Sequence, residues 1–301
     1  MSSGRNDDIN QPAISLADTG TGETPAYVVS TDTRAENSSR LMSGSPGNTN
    51  FVYILERLRE KGMLVPDSEL GSEVRSEYRR IKRPLLSNAF GKSSSLVDQG
   101  NLIMVTSAIP GEGKTYTAIN LALAIAQERD RTVLLVDCDV SKQGTSRMLG
   151  VERCRPDLTD LLASESMAIN DALIKTDVPG LVTLPAGKPH EYITEMFSSK
   201  RMASLMHEFS TRYNDRIVVF DAPPLLSTPE AQVLADLVGQ VVMVVEAGKT
   251  PFTIVQEALE MIPAEKAVGL LLNKADSISN RGSYYYNYYA TYGEADDDYE
   301  E

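Results

Sequence analysis

LIMVTSAIPGEGKT, residues 102–115, decides how the rest of the chain is read. Leu102–Thr106 is a near-continuous apolar run, as expected of a strand covered on both faces. Small and Gly-rich residues follow, and then residues 115–128, a stretch of helix formers. From Ala108 the loop fits G-x-x-x-x-G-K-[ST], with Ala108 in place of the first glycine. Gly111 and Gly113 let backbone N–H groups approach phosphate oxygens, and a helix N-terminus adds positive potential. Lys114 can reach the β- and γ-phosphates, and the Thr115 hydroxyl can ligate Mg²⁺. An ordinary strand-to-helix turn needs only the glycines. Strand, loop, Gly-Lys-Thr and helix in this order point to a nucleotide.

Outward from that loop the same alternation recurs. Further strands are expected at 132–136, 181–184, 216–220, 241–245 and 268–272, with helices between them such as 251–261. Near-continuous apolar strands alternating with helices predict an α/β fold with a doubly wound, mostly parallel sheet. Upstream, FVYILERLREK at 51–61 spaces Val52, Leu55 and Leu58 as on a helix, with Gly62 as its stop signal. Residues 70–88 read as a second helix broken near Pro84. The expected organisation is a disordered segment 1–50, a helical segment 51–95, a nucleotide domain 96–276 and a tail 277–301.

Two acidic motifs close strands on the ligand side of such a sheet. LLVDCDV places Asp137 and Asp139 just past one strand, and IVVFDAPP places Asp221 just past another. A lone Asp there is more often a helix cap. Three beside a phosphate loop suggest Mg²⁺, which takes one or two carboxylates, plus a spare base for a hydroxyl proton.

Composition narrows the classes. The 301 residues carry a net charge of -13, against a nucleic-acid partner, which needs a positive surface. No run reaches the eighteen apolar residues of a membrane helix, and the N-terminus lacks a signal pattern, so a cytoplasmic protein is expected. Cys138 and Cys154 have neither zinc spacing nor histidine company and read as buried thiols. His190 and His207 are isolated, Met202 and Met206 fall one turn apart as core residues, and Glu191 and Glu195 read as a helix face.

The charge is uneven. Five basic residues fall within 75–83 and six acids within the last eight positions. Seven of the thirteen tyrosines close the chain: Tyr284, Tyr285, Tyr286, Tyr288, Tyr289, Tyr292 and Tyr299. Between Tyr284 and Tyr292 there is no Leu, Ile, Val, Met or Phe and neither structural period, so these rings are not a core. They are a sticky tail or they are substrates.

Taken together, AIPGEGKT, DCD and FDAPP resemble the Walker A, A′ and B motifs of the bacterial tyrosine kinases (BY-kinases). EYRRIKR resembles that family's E-x-x-R-x-x-R oligomerisation motif through Glu77, Arg80 and Arg83, and the tyrosine-rich end resembles its autophosphorylation cluster. EYRRIKRPLLSNAF and TVLLVDCD are also similar to the exosortase-associated autokinases of exopolysaccharide loci. The resemblance covers residues 51–301. It implies a P-loop NTPase fold of the ParA/MinD-like type, with ATP and Mg²⁺ as cofactors. Pro110, Gly111, Glu112, Gly113, Lys114, Thr115 and Tyr116 would hold the nucleotide, with Asn273 near the base. Thr115, Asp137, Asp139 and Asp221 would serve the metal; Lys114, Asp137 and Asp139 would be catalytic. It further implies a homo-oligomeric ring, with octamers known in the family, and an opposing protein-tyrosine phosphatase. A membrane polysaccharide co-polymerase adaptor would recruit the chain to the inner face of the membrane. One departure is local: VSKQG follows the A′ motif where family members carry Arg then Pro, leaving Lys142 as the nearby cation.

Two rivals remain. A ParA/MinD-like ATPase switch shares the architecture, but its loop carries a lysine where this chain has Ile109. A GTPase is suggested by NKAD at 273–276, which matches the guanine-reading N-K-x-D pattern. Four motifs in combination, with seven terminal tyrosines, favour the kinase.

Overall fold

Apolar strands separated by helical stretches bury all their faces only in a sheet covered on both sides. The computed structural model, which describes residues 50–65, 72–91, 93–213 and 215–275, has that arrangement. In chain order the elements are β1 (Phe51–Val52), α1 (Leu55–Glu60), α2 (Ser72–Phe90), β2 (Leu102–Ser107), α3 (Lys114–Ala126) and β3 (Thr132–Asp137). Next come α4 (Gly144–Leu149), α5 (Leu158–Ala163), α6 (Ile169–Ala172), β4 (Ile174–Thr176), β5 (Leu181–Leu184), α7 (Ile193–Phe197) and α8 (Lys200–Thr211). The last are β6 (Arg216–Asp221), α9 (Pro229–Leu237), β7 (Gln240–Glu246), α10 (Phe252–Glu260) and β8 (Ala267–Asn273).

The strands form one sheet in the order β1-β4-β5-β3-β6-β2-β7-β8. Every pairing is parallel except β4 with β5. Alternation along the central strands separates two cores. Leu102, Met104, Leu134, Val136, Val218 and Phe220 join the layer that includes α5 and α8. Ile103, Val105, Val133, Leu135, Ile217 and Val219 join the layer of α1, α2 and α3. Leu58, Tyr78 and Leu85 share that second layer, so residues upstream of the phosphate loop build the same core as its strands.

The six expected strands and the helices after the phosphate loop are present, and Met202 and Met206 are buried. Three local expectations are corrected. Phe51 and Val52 are not helical; they pair with Lys175 and Thr176, and helix α1 starts at Leu55. Its entrance is set from afar, because the Asp177 carboxylate accepts the Ile54 N–H at 2.8 Å. Helix α2 runs unbroken through Pro84. Pro84 lies on the exposed side, where water can serve the carbonyl that loses its N–H partner. Tyr78, Leu85 and the buried Lys82 hold the other side, and Lys82 donates to the Ala124 carbonyl of α3 at 2.6 Å. Finally, Cys138 is buried as expected, but Cys154 is only half-buried.

Candidate active site

Parallel register assembles the site. Asp137 and Asp221 end adjacent strands and are direct register partners, as are Val105 of β2 and Asp221. The phosphate loop leaves β2 beside them. All three acids are buried: Asp137 and Asp221 are 0% exposed and Asp139 is 2% exposed. Lys114 is 7% exposed and lies among these acids. Its Nζ donates to Asp139 Oδ2 at 2.8 Å and lies 3.7 Å from Asp221 Oδ1.

The carboxylates are not equally satisfied. Asp137 Oδ1 accepts the Asp139 N–H at 3.1 Å, and its Oδ2 accepts both the N–H and the hydroxyl of Ser146 at 2.7 Å. Asp139 Oδ1 accepts the Lys142 N–H. Asp221 Oδ2 accepts the Thr145 hydroxyl at 2.8 Å, whereas its Oδ1 is buried with no hydrogen-bond donor. Burial, and then the charge of Asp221, push the Asp137 carboxyl up to about 7. Burial also raises Asp221, while the nearby Lys114 charge opposes that rise. Burial alone would lower the Lys114 ammonium, but Asp221 and Asp139 hold it above its ordinary value.

The loop has the shape for an anion. Gly111 and Gly113 adopt φ values of +95° and +100°, where an L side chain is strained. A Cβ on Gly113 would also lie 2.0 Å from Asn273 Nδ2. On the other side, a Cβ on Gly144 would meet Thr115 Oγ1 at 2.7 Å, so α4 approaches the loop closely only because that residue is glycine.

The other residues singled out from the sequence make their own contacts. The Tyr116 hydroxyl reaches away to the Gly62 carbonyl at 3.1 Å. Glu112 is 1% exposed, and its carboxylate accepts the Ile109 N–H, the Thr250 hydroxyl and the Glu246 N–H. Asn273 donates to the Glu112 carbonyl at 2.8 Å. Glu77, Arg80 and Arg83 form the exposed side of α2. His190 accepts the Tyr192 N–H through Nδ1, and His207 lies exposed on α8. Asp276, residues 1–49 and all seven tail tyrosines lie outside the described residues. Ser146, Thr145, Thr250 and Glu246 were not found from sequence; none belongs to a spacing pattern, and only the fold brings them to the site, whereas Lys274 was read only as part of the N-K-x-D match.

The geometry fits a magnesium nucleotide. A glycine loop with a helix behind it and a buried lysine suits phosphate, and the undonated Asp221 Oδ1 suits a cation. Among the described residues no group of three or more acids, histidines or cysteines encloses a metal alone. Mg²⁺ completes its shell with phosphate oxygens and water.

A sheet of this topology with such a loop defines a P-loop nucleotide-binding protein, and residues 100–263 match the family described as an AAA domain. Tyrosine-protein kinase YwqD of Bacillus subtilis is 32% identical over 217 residues, covering 71% of this chain and 86% of that protein. The succinoglycan biosynthesis transport protein ExoP of Rhizobium meliloti is 33% identical over 184 residues, 59% of this chain but 23% of its own length. Among solved structures, the VpsO kinase domain aligns with a TM-score of 0.57 at 28% identity, covering 68% of this chain and 97% of that one. The chain belongs to the bacterial tyrosine-protein kinase family. It spans most of YwqD and under a quarter of ExoP. Among the described residues no helix is long and apolar enough to cross a membrane.

Proposed function

We propose that the chain is an ATP-dependent protein-tyrosine autokinase. It phosphorylates its C-terminal tyrosines between subunits and regulates exopolysaccharide synthesis and export. The observation that carries this reading is the convergence of Asp137, Asp139, Asp221 and Lys114 beside a phosphate loop, in a chain of this family. The name of ExoP supports the exopolysaccharide context.

Loop amides between Pro110 and Thr115 would hold the phosphates, and Thr115 and Asp221 would hold Mg²⁺. ATP would supply the transferable phosphoryl group, and Mg²⁺ would neutralise its charge. When phosphate arrives, the Lys114 ammonium exchanges Asp139 for phosphate oxygens. The released Asp139 and the raised Asp137 then share metal organisation and the proton of the incoming phenol. A tyrosine hydroxyl has a pKa near 10, so it needs such a base. The phenol oxygen forms the new bond to the γ-phosphorus, the β–γ bridging bond breaks, and ADP leaves. Positioning and charge stabilisation supply most of the acceleration.

The partners proposed are further copies of this chain in a ring joined through Glu77, Arg80 and Arg83. A membrane polysaccharide co-polymerase adaptor would recruit it, and a protein-tyrosine phosphatase would reset it. The test is purified protein with Mg-ATP and site-resolved phosphopeptide mapping. A Lys114→Met chain with an intact tail is mixed with an active chain whose tail tyrosines are all Phe. Phosphate is expected on the inactive chain. ATP hydrolysis with no phosphotyrosine on either chain would replace this reading with an ATPase switch.

A further inference from the structure

We propose that Asn273 and Lys274, at the end of β8, position the phosphate loop from outside, with Glu112 as the loop's own anchor. The inference rests on the nucleotide-binding part of the reading above and is independent of phosphoryl transfer.

A trans peptide is planar, with its C=O and N–H on opposite sides, so holding the carbonyl aims the following N–H. Lys274 Nζ donates to the Gly111 carbonyl at 2.7 Å, which fixes the plane that carries the Glu112 N–H. Asn273 Nδ2 donates to the Glu112 carbonyl at 2.8 Å, which fixes the plane that carries the Gly113 N–H. These are the amides a phosphate loop presents to its anion. They flank Gly111 and Gly113, whose backbones have the most freedom to lose. External restraint is needed most where glycine is required.

Glu112 anchors the same loop from within. Its Oε2 accepts the Ile109 N–H at 2.9 Å, and its Oε1 accepts the Thr250 hydroxyl at 2.6 Å and the Glu246 N–H at 3.3 Å. Both oxygens face backbone N–H donors, so a glutamine amide cannot replace the carboxylate without setting its NH₂ against one of them. Lys274 also lies 3.1 Å from Glu246 Oε2, which ties the ends of β7 and β8 into one network with the loop. Lys274 has φ of +55°, uncommon for a residue with a side chain, and it holds the conformation that puts its ammonium on Gly111. Asn273 therefore acts on the loop.

The test is calorimetric binding of Mg-ADP and Mg-GDP to the full chain and to Asn273→Ala, Lys274→Met, Lys274→Arg and Glu112→Gln variants. Loss of one charged donor to a loop carbonyl is expected to weaken ADP on the order of tenfold. GDP should weaken by the same factor, and Lys274→Arg should recover most of the loss. The Lys274 side chain is 47% exposed, so Lys274→Met leaves the core intact and decides the matter even if Asn273→Ala folds poorly. Unchanged ADP affinity in Lys274→Met overturns the proposal, as does an Asn273→Ala chain that loses ADP while keeping GDP. Absence of tyrosine phosphorylation would sink the kinase reading and leave these affinities unaffected.

Discussion

Two buried carboxylates, one within the phosphate loop and one on the strand β6 beside β2, have opposite environments. Glu112 has both oxygens matched by donors, three in all, and it belongs to the loop's scaffold. Asp221 has one oxygen bonded to Thr145 and one with no donor, and its nearest cation is 3.7 Å away. A satisfied buried carboxylate contributes to the fold, whereas an under-satisfied one costs stability until something binds it. The difference separates these two residues where burial does not, because they are almost equally buried.

The largest expected effect is on catalysis. Lys114→Met removes the cation that holds phosphate and leaves the acids facing one another. The initial rate of phosphotyrosine formation should fall by roughly 10³-fold or more. A contaminant-free preparation that kept a tenth of its activity would break the assignment of Lys114 to phosphate.

Stability tests the comparison directly. Glu112→Ala leaves the Ile109 and Glu246 amides and the Thr250 hydroxyl without their acceptor, which should cost about 1–3 kcal/mol. Asp221→Asn neutralises an under-bonded buried charge, so its nucleotide-free stability should match or exceed the parent by up to about 1 kcal/mol. Urea midpoints in the presence of a chelator give both numbers. If the two substitutions destabilise equally, satisfaction of the carboxylates does not divide scaffold from site.

A pH dependence sharpens the same point. The Asp137 carboxyl sits at about 7 in the folded chain, above its ordinary value, so the folded state binds more protons. Its contribution to stability therefore falls as pH rises from about 4 to about 7 and stays low above that. Measured as a difference from Asp137→Asn under chelator, the parent should lose ground across that interval. A flat difference would mean that Asp137 ionises as an exposed acid does.

Much of this was legible in the sequence, for a physical reason. The phosphate loop, Asp137, Asp139, Asp221 and six strands are encoded by neighbours in the chain, where period and spacing act. What could not be read is carried by long-range contacts. The Asp177 bond to Ile54 spans 123 positions, and the Asn273 bond to the Glu112 carbonyl spans 161. Ser146 and Thr145 lie in a short helix after the A′ motif, and nothing local distinguishes them from surface hydroxyls. Strand β4 has three residues and exists through its pairing with β1 and β5. The Pro84 expectation failed because local sequence shows the lost hydrogen bond but not the packing that holds the helix on α3.

The smallest effect on the fold is expected from the exposed side of helix α2, whose two sides repeat the opening contrast. Lys82 is buried, donates to the Ala124 carbonyl and pairs with Glu128 at 2.6 Å. Arg80 and Arg83 lie on the exposed side with Glu77. Lys82→Ala should destabilise the chain by about 1–3 kcal/mol, since a buried carbonyl loses its donor. Arg80→Ala with Arg83→Ala should shift the unfolding midpoint by no more than about 0.5 kcal/mol, the usual range of surface changes. If these arginines join subunits, the double variant should still fall in mass by light scattering at fixed ionic strength, and its autophosphorylation should fall with it. Each phosphotyrosine would add about -1.5 to -2 charges to an already acidic tail. Extensive phosphorylation of the parent should then lower its mass in the same way, reversibly with phosphatase. A mass that changes with neither substitution nor phosphorylation would leave the exposed side of α2 as a solvated surface and remove the ring from the mechanism.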